Sequence, residues 1–396
     1  MSVLFEKTEF KGVELKNRLV RSATHEGMAD ENGFPTKDLF KLYERLAQGG
    51  VGLIITGYSY VSRDGKSHAM MGIDTEEHIS KYRELVNHVH QNGAKIAMQI
   101  NHCGRQTTKE MTGTQTIAPS AVKDNMLLEK PRAMTEQEIE RVIKDFSKAS
   151  KRVKDSNFDA VQLHAAHGYL ISQFLCPHTN RRKDKWGGSI ENRMRIVKKI
   201  YNACREQVGK DYPIFVKISA YDNMKKGLKQ EEGVIMAEMM AEMGFDGIEV
   251  SCGIGEDGAS MVRGDFPIDV MLEKIPNYKK SNPVFKFILR HFGEKIVKPV
   301  PFSQSFNRKA AREIKRKVNI PIFLVGGMTD PSDMEDAIEK GDADYISLSR
   351  ALINNPKFPS KIREGSREPS KCLHCNLCLF CVLMEPLRCY YGKKIV

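Results

Sequence analysis

The amino-acid sequence predicts an α/β fold, a (β/α)8 TIM barrel, and two observations support this prediction. Eight short apolar runs recur along the 396 residues, bounded by Gly, Pro or Asp as is typical of buried parallel strands. Amphipathic segments with helical spacing separate these runs. A doubly wound parallel sheet is the competing architecture. The runs lie at residues 18–23, 52–57, 95–100, 159–164, 213–219, 246–251, 321–327 and 344–350.

Helix-boundary signals support the alternation of strands and helices. Residues 76–93 have an amphipathic pattern and end in Asn-Gly, which is a C-cap signal. Residues 135–157 begin with Thr135 and Glu138 at the spacing of a capping box, in which two side chains bond reciprocally to backbone N–H groups. We therefore expect long helices in both segments.

A long insertion, residues 252–306, follows the sixth predicted strand. It is rich in Gly, Pro and Lys, so we expect an excursion over the barrel mouth with no second core. It opens with the letters GIGEDG, which match a dinucleotide-binding pattern. Glu256 and Asp257 would repel a phosphate there, and no helical pattern follows to provide an N-terminus. We therefore expect no nicotinamide Rossmann site.

Composition and charge favour a globular protein that does not bind nucleic acid. With 41% hydrophobic residues the chain can bury a large core. The net charge is +12, but the 62 Lys and Arg residues are interleaved with 50 acidic ones and form no nucleic-acid-binding motif. The sequence has no signal-peptide pattern and no apolar run of about 18 residues. We expect a cytoplasmic protein with no nucleic-acid or membrane partner.

Polar residues and glycines follow several of the predicted strands. In a barrel of this kind the chemistry is located at the carboxyl ends of the strands. Two glycines after strand seven and an arginine after strand eight are the usual barrel site for a phosphate group, although an ordinary turn would look similar. The candidate residues are Thr24, His25, Tyr58, Gln99, His164, His167, Tyr169, Lys217, Gly326, Gly327, Ser349 and Arg350.

His164 and His167 have three possible roles: metal ligands, a base for a nucleophile, or hydrogen-bond donors. A zinc site needs further ligands, and an i, i+4 pair on a helix would suit it better. A nucleophile would need an activated Cys nearby or a G-x-S-x-G turn, which the sequence does not show. A metal-dependent lyase or hydrolase nevertheless remains an alternative function.

The motifs NRLVRSA, KIAMQINHCGRQ, HAAHGYLISQFLCPHTNRRKDKWGGSIENR, IFVKIS, VGGM and ISLSR occur in this order. With these motifs the chain resembles the Old Yellow Enzyme family of NADH:flavin oxidoreductases over about residues 4–365. The resemblance implies an FMN-binding TIM barrel over residues 1–365, followed by a Cys-rich segment over 366–396. It also implies hydride transfer from flavin N5 to an activated C=C bond of an enone, enoate or enoyl thioester. NAD(P)H or a separate protein would donate electrons, and a homo-oligomer is left open.

The resemblance also implies a role for each candidate residue. Gln99 would bind the flavin pyrimidine edge, and Lys217 would lie near flavin N1 and O2, where many relatives have Arg. His25 stands where relatives have Thr or Cys. His164 and His167 would hold the substrate carbonyl oxygen, and Tyr169 would protonate the α-carbon. The residues implied to line the flavin or bind its phosphate are Ala23, Thr24, Tyr58, Gly326, Gly327, Ser349 and Arg350.

Five of the nine cysteines are clustered near the C-terminus. The first four are separated by two residues each, and Cys389 follows after seven more. C-x2-C-x2-C with a remote fourth Cys is an iron–sulfur spacing, and the tail resembles that of the dienoyl-CoA-reductase-like branch of the family, here without its nucleotide-binding domains. We expect a 4Fe–4S cluster, with Cys381 either spare or alternating with one of the ligands. A zinc clip, a reduced tail and a cysteine-cluster electron carrier stay open. The expected ligands are Cys372, Cys375, Cys378 and Cys389.

Overall fold

A computed structural model describes residues 2–393 and has the predicted barrel of parallel strands. Each strand pairs with the next one in the chain, and the eighth pairs with the first, so the sheet closes on itself. This closure confirms the eight predicted strands and rules out the open doubly wound sheet. The strands are β1 Leu19–Arg21, β2 Leu53–Ile55, β3 Lys95–Asn101, β4 Ala160–Ala165, β5 Ile214–Ser219, β6 Ile248–Ser251, β7 Ile322–Val325 and β8 Tyr345–Leu348.

Helices surround the barrel and pack their apolar faces on the strands. The helix Glu136–Asp155 begins with the predicted capping box: Thr135 Oγ1 accepts from Glu138 N–H at 3.2 Å, and Thr135 N–H donates to Glu138 Oε2 at 2.9 Å. No helix within residues 2–393 is long and apolar enough to span a bilayer. The other surrounding helices are Lys37–Gln48, His78–Gln91, Ile190–Val208, Gln230–Met243, Arg308–Lys315, Pro331–Glu339, Arg350–Asn354 and Phe358–Arg363.

A two-stranded hairpin closes the amino-terminal end of the barrel. Its strands are Thr8–Phe10 and Val13–Leu15. The ring of Phe10 meets the rings of Phe215 and Phe323 edge-on, with centroids 5.4 Å apart in both pairs. Aromatic packing of this kind excludes water from the lower barrel. The carboxyl ends of the strands are therefore the end where a ligand site can form.

The insertion after β6 has an apolar core of its own, so the expectation that it would lack one was wrong. Its helices are Ile268–Lys274, Pro276–Lys279 and Pro283–Val297. Apolar residues of the insertion pack together with Phe380, which comes from the C-terminal tail. Because this core needs a residue about 100 positions further along the chain, the local composition of the insertion did not predict it.

The C-terminal tail lies against the insertion and covers the barrel mouth with it. Asp265 N–H donates to the carbonyl of His374 at 3.1 Å, and Asn376 Nδ2 donates to the carbonyl of Asp265 at 2.9 Å. An ion pair of 2.7 Å joins Lys274 and Glu385. The tail is therefore bound to the rest of the protein by specific polar contacts.

Candidate active site

A cavity of about 240 Å³ lies at the carboxyl ends of the strands. Gln99 is buried below it and does not line it. The sequence did not predict the apolar roof, to which the tail contributes Leu379, Val382, Leu383 and Met384. The structure brings the other predicted barrel residues together around this cavity: Ala23, Thr24, His25, Tyr58, His164, His167, Tyr169, Lys217, Gly326, Gly327, Ser349 and Arg350.

His164 and His167 lie side by side at the end of β4. Their ring centroids are 5.2 Å apart, with the rings nearly perpendicular. His167 has a left-handed backbone with φ of +60°, which costs energy for a non-glycine residue. Its N–H donates to Ser219 Oγ at 3.0 Å and its carbonyl accepts from Gln106 Nε2 at 2.7 Å. These bonds hold the strained conformation that turns the second histidine toward the cavity.

Burial keeps both histidines neutral. It lowers the pKa of His164 and His167 well below the usual value of 6.5, and the nearby charge of Lys217 acts in the same direction. The N–H of Ala166 donates to Nδ1 of His164 at 3.3 Å, so the neutral ring carries its proton on Nε2. His167 Nε2 lies 2.7 Å from Ser251 Oγ. Two uncharged imidazoles can therefore offer hydrogen bonds to a ligand.

Aromatic rings form the wall next to these histidines. His25 stacks on Tyr58 with a centroid distance of 4.9 Å and an angle of 14°. Burial lowers the pKa of His25 to about 4, so this ring is also neutral. The ring of Tyr169 lies 4.9 Å from Tyr58 and 4.8 Å from His164. Burial raises the pKa of Tyr169, so its hydroxyl keeps a proton that it can donate.

The glycine turn after β7 forms the opposite side of the cavity. Gly326 and Gly327 have φ of +122° and +70°. A Cβ on either residue would come within 2.5 Å of neighbouring atoms in Asn307 or Ser303. In the described chain, no backbone carbonyl accepts from the N–H groups of these glycines. Small residues with free N–H groups can approach an anion closely.

Arg350 forms part of the wall of this cavity and of a second one. Its Nη1 donates to the carbonyl of Arg263 in the insertion and to Oδ1 of Asn376 in the tail, at 2.8 Å each. The second cavity, also of about 240 Å³, is lined by Arg350 and four cysteines of the tail. These cysteines are the predicted cluster ligands Cys372, Cys375, Cys378 and Cys389.

The fifth tail cysteine, Cys381, is fully buried and does not line the second cavity. Among residues 2–393, no three His, Cys, Asp or Glu side chains converge as ligands of one metal ion. The described residues therefore show no metal-binding group, neither for a zinc ion nor for a cluster. A 4Fe–4S cluster is larger and binds each Cys at a different iron, so its ligands need not converge on one point.

The sequence did not predict a set of polar residues that bond to the predicted ones: Ser22, Gln162, Glu249 and Ser251. Lys217 Nζ donates to Ser22 Oγ at 2.8 Å and lies 3.4 Å from Glu249 Oε2. Gln162 connects Glu249 with Gln99, and Ser251 bonds to the imidazole of His167. A signal was present in the sequence: Gln162, Glu249 and Ser251 are polar residues inside otherwise apolar strands. Such buried polar groups normally need a partner.

Comparison with known proteins identifies the class of this chain. The model of the NADH:flavin oxidoreductase / NADH oxidase family matches residues 3–282 and 288–368. The chain belongs to this family. An NADH oxidase of Thermoanaerobacter brockii is 38% identical over 378 residues, which are 94% of this chain and 53% of that protein. The chain thus spans about half the length of that relative.

Solved structures share the fold. An old yellow enzyme homologue from Zymomonas mobilis has a TM-score of 0.73 at 22% identity, over 94% of this chain and 96% of its own. A 2-naphthoyl-CoA reductase in complex with 2-naphthoyl-CoA has a TM-score of 0.85 at 24% identity, over 99% of this chain and 57% of its own. The family model and the relative from Thermoanaerobacter brockii confirm that the chain belongs to the NADH:flavin oxidoreductases, as the motifs indicated.

The residues of the mouth fit the flavin that this family uses. Four buried polar atoms at the site, Gln99 Oε1, His25 Nε2, Ser347 Oγ and Glu249 Oε1, lack a hydrogen-bond partner within the part of the chain that the structure describes. Buried polar atoms without partners are rare and indicate a missing ligand or water. Lys217 provides a cation, and the glycine turn provides room for a phosphate group. A flavin mononucleotide has the ring and the phosphate that such a site would bind.

Proposed function

We propose that this protein is an FMN-dependent oxidoreductase that reduces an activated C=C bond, as in an enone, an enoate or an enoyl thioester. One observation supports this most directly: two neutral histidines and a protonated tyrosine face the same cavity as Lys217 and the glycine turn. The names of the similar proteins, an NADH oxidase and a 2-naphthoyl-CoA reductase, are consistent with it. In this proposal, the hydride for the C=C bond would come from flavin N5.

The chain's own residues would divide between holding the flavin and holding the substrate. Lys217 would lie at flavin N1 and O2, and its charge would favour the reduced, anionic ring. Gln99 would bind the pyrimidine edge, and His25 would lie near O4. Ala23, Thr24 and Tyr58 would flank the ring. The residues that would bind the phosphate are Gly326, Gly327, Ser349 and Arg350.

On the substrate side, His164 Nε2–H would donate to the carbonyl oxygen of the acceptor. His167 would be the second donor, through Nδ1, when the Ser251 hydroxyl donates to Nε2. Both bonds strengthen as negative charge develops on that oxygen, which is how an oxyanion site lowers a barrier. Tyr169 would then give its proton to the α-carbon. The reductant and the acceptor would use the same cavity in turn.

The C-terminal tail would hold a 4Fe–4S cluster on Cys372, Cys375, Cys378 and Cys389. Two findings support this ligand set: these four cysteines line one cavity beside Arg350, and Cys381 lies outside it. Anaerobic purification should give about four iron and four sulfide per chain. Stoichiometric zinc, or no metal after anaerobic handling, would contradict the cluster and leave the flavin assignment unaffected.

The flavin is tested by colour and by turnover. The purified protein should be yellow, absorb near 450 nm or so, and bleach when NADH, NADPH or dithionite reduces it anaerobically. A panel of enones, enoates and enoyl thioesters added to the reduced protein should restore the absorbance for the class that is a substrate. A colourless protein that binds one zinc per chain would instead support a metal-dependent lyase or hydrolase.

A further inference from the structure

Four buried side chains form a continuous polar layer below the cavity, across β3 to β6. Gln99 Nε2 donates to Gln162 Oε1 at 2.6 Å, and Gln162 Nε2 donates to Glu249 Oε2 at 2.9 Å. The same Glu249 oxygen lies 3.4 Å from Lys217 Nζ. All four residues are at most 2% exposed. The layer therefore connects Gln99, which is buried below the cavity, with Lys217, which lines the cavity.

The carboxylate determines the direction of every hydrogen bond in this layer. A carboxylate beside a lysine accepts hydrogen bonds and donates none. Gln162 must therefore present its NH2 group to Glu249, which leaves its oxygen for Gln99. Gln99 must then present its NH2 group to Gln162, because the reverse orientation would place oxygen against oxygen. The free end of Gln99 is thus the carbonyl Oε1, which is buried and has no partner among residues 2–393.

We propose that Glu249 and Gln162 are positioning residues for the cofactor site. Together they orient Gln99 as a hydrogen-bond acceptor for the cofactor. Glu249 also holds Lys217 in place as a hydrogen-bond donor to the cofactor. The inference rests on the proposed function, because it takes FMN as the ligand of the mouth. The pyrimidine edge of a flavin has the complementary pattern, an imide N3–H next to a carbonyl oxygen and N1. The Gln99 oxygen would therefore accept from N3–H of the ring, and the Lys217 cation would stabilise the negative charge of the reduced ring.

Glu249 also favours the charged form of Lys217. Burial lowers the pKa of Lys217 and nearby Arg21 lowers it further, whereas Glu249 raises it. Arg21 is paired with Glu26 at 2.8 Å, and the other titratable groups that face Lys217, His164 and His167, are neutral. Removal of the Glu249 charge would leave a buried cation without a counter-ion, which strongly favours loss of its proton.

The first test separates the two roles of Glu249 in the flavin-loaded protein. Gln162→Met cuts the link to Gln99 and keeps the Lys217–Glu249 pair, whereas Glu249→Gln disrupts both. FMN affinity is measured by ultrafiltration of the holoprotein. Resonance Raman spectra in H2O and D2O report the hydrogen bond at flavin N3–H, and anaerobic titrations at several pH values give the midpoint potential.

We expect both variants to raise the FMN Kd about three- to tenfold, the effect of one hydrogen bond, and to change the N3–H Raman signature. Glu249→Gln should in addition lower the midpoint potential and introduce a pH dependence from titration of Lys217. Tyr345→Phe is the stability control, because its hydroxyl bonds the Glu9 carbonyl at the other end of the barrel. This variant should leave the FMN Kd, the N3–H Raman signature and the midpoint potential unchanged.

A double variant tests the direction of the bonds. The double variant combines Gln162→Glu with Glu249→Gln, so the carboxylate moves from position 249 to position 162. It still accepts the NH2 group of Gln99, so Gln99 still offers its oxygen to the cofactor. We expect FMN affinity and the Raman signature to recover, whereas the altered potential persists because the charge has moved away from Lys217. Unchanged signatures in both single variants, or equal changes in Tyr345→Phe, would overturn the proposal. A wild-type protein without flavin would instead refute the proposed function.

Discussion

At His164, one backbone hydrogen bond decides which ring nitrogen can donate to a ligand. The N–H of Ala166 occupies Nδ1, and burial keeps the ring neutral, so the proton is on Nε2. His167 depends in the same way on the hydroxyl of Ser251. The donor atoms of both histidines are thus determined by hydrogen bonds to neighbouring residues.

His164→Ala should slow reoxidation of the reduced flavin by the unsaturated acceptor by about 10²–10³-fold, the usual effect of removing one oxyanion donor. The FMN content should not change, because the proposed role of the imidazole is to bind the substrate and not the flavin. Stopped-flow measurement of each half-reaction tests this. Loss of flavin with a normal rate per bound flavin would assign His164 a role in cofactor binding.

Tyr169→Phe should slow reduction of the acceptor and leave reduction of the flavin by NAD(P)H unchanged, because the hydroxyl proton is needed in one half-reaction and not in the other. The raised pKa of Tyr169 means that the hydroxyl stays protonated over the working pH range. Equal slowing of the two half-reactions in stopped-flow traces would indicate a structural tyrosine.

The sequence predicted the part of the cavity wall that the strand ends form, because the carboxyl ends of parallel barrel strands lie together at one end. The location of His164, Lys217 and Arg350 at the cavity could therefore be predicted from their positions in the chain alone. The pairing of Gln162 with Glu249 depends instead on contact between side chains of non-adjacent strands inside the barrel. The roof depends on docking of the tail residue Phe380 into the insertion, which no local pattern encodes.

At the level of elements, the turn after β7 combines a backbone conformation and a close approach that require glycine. Gly341, between the next helix and β8, has a similar φ of +67° but no atom within 4 Å of an added Cβ. A comparison of alanine substitutions at Gly327 and Gly341 therefore separates the cost of the left-handed backbone conformation from the cost of a steric clash.

Gly341→Ala should destabilise the fold by about 1–2 kcal/mol, because a Cβ disfavours the left-handed region. Gly327→Ala should destabilise it by more, because its Cβ also meets the backbone of Ser303 and Ser305. Only Gly327→Ala should also release FMN, since its Cβ would approach the Ser303 carbonyl and shift the turn. The ratio of flavin to protein absorbance after gel filtration measures retention. Equal retention in the two variants would show that the turn does not contact the phosphate.

For the whole molecule, the neutral buried histidines link stability to pH. His25, His164 and His167 have pKa values below 6.5 in the fold, whereas the unfolded chain protonates them near 6.5. The unfolded state thus binds more protons in acid. The stabilisation that comes from keeping these histidines neutral is complete above pH 6.5 and is lost as the pH falls. For His25 the loss continues until the pH reaches its folded pKa of about 4.

The free energy of unfolding in urea should therefore fall between pH 6.5 and 4, by up to about 1.4 kcal/mol per pH unit for each proton taken up. His25→Leu removes one of these protons, so its slope over this range should be shallower than that of the wild type. Parallel curves for the two proteins would show that His25 is not neutral in the fold.

The polar layer below the cavity also constrains how this barrel can diverge. Replacing any one of Gln99, Gln162, Glu249 or Lys217 leaves a partner unsatisfied where water cannot reach it. Such a change is tolerated when a second change restores the donor–acceptor order. Among descendants of this chain, we expect the four positions to vary together as a set, whereas the exposed residues of the insertion helix Pro283–Val297 drift independently.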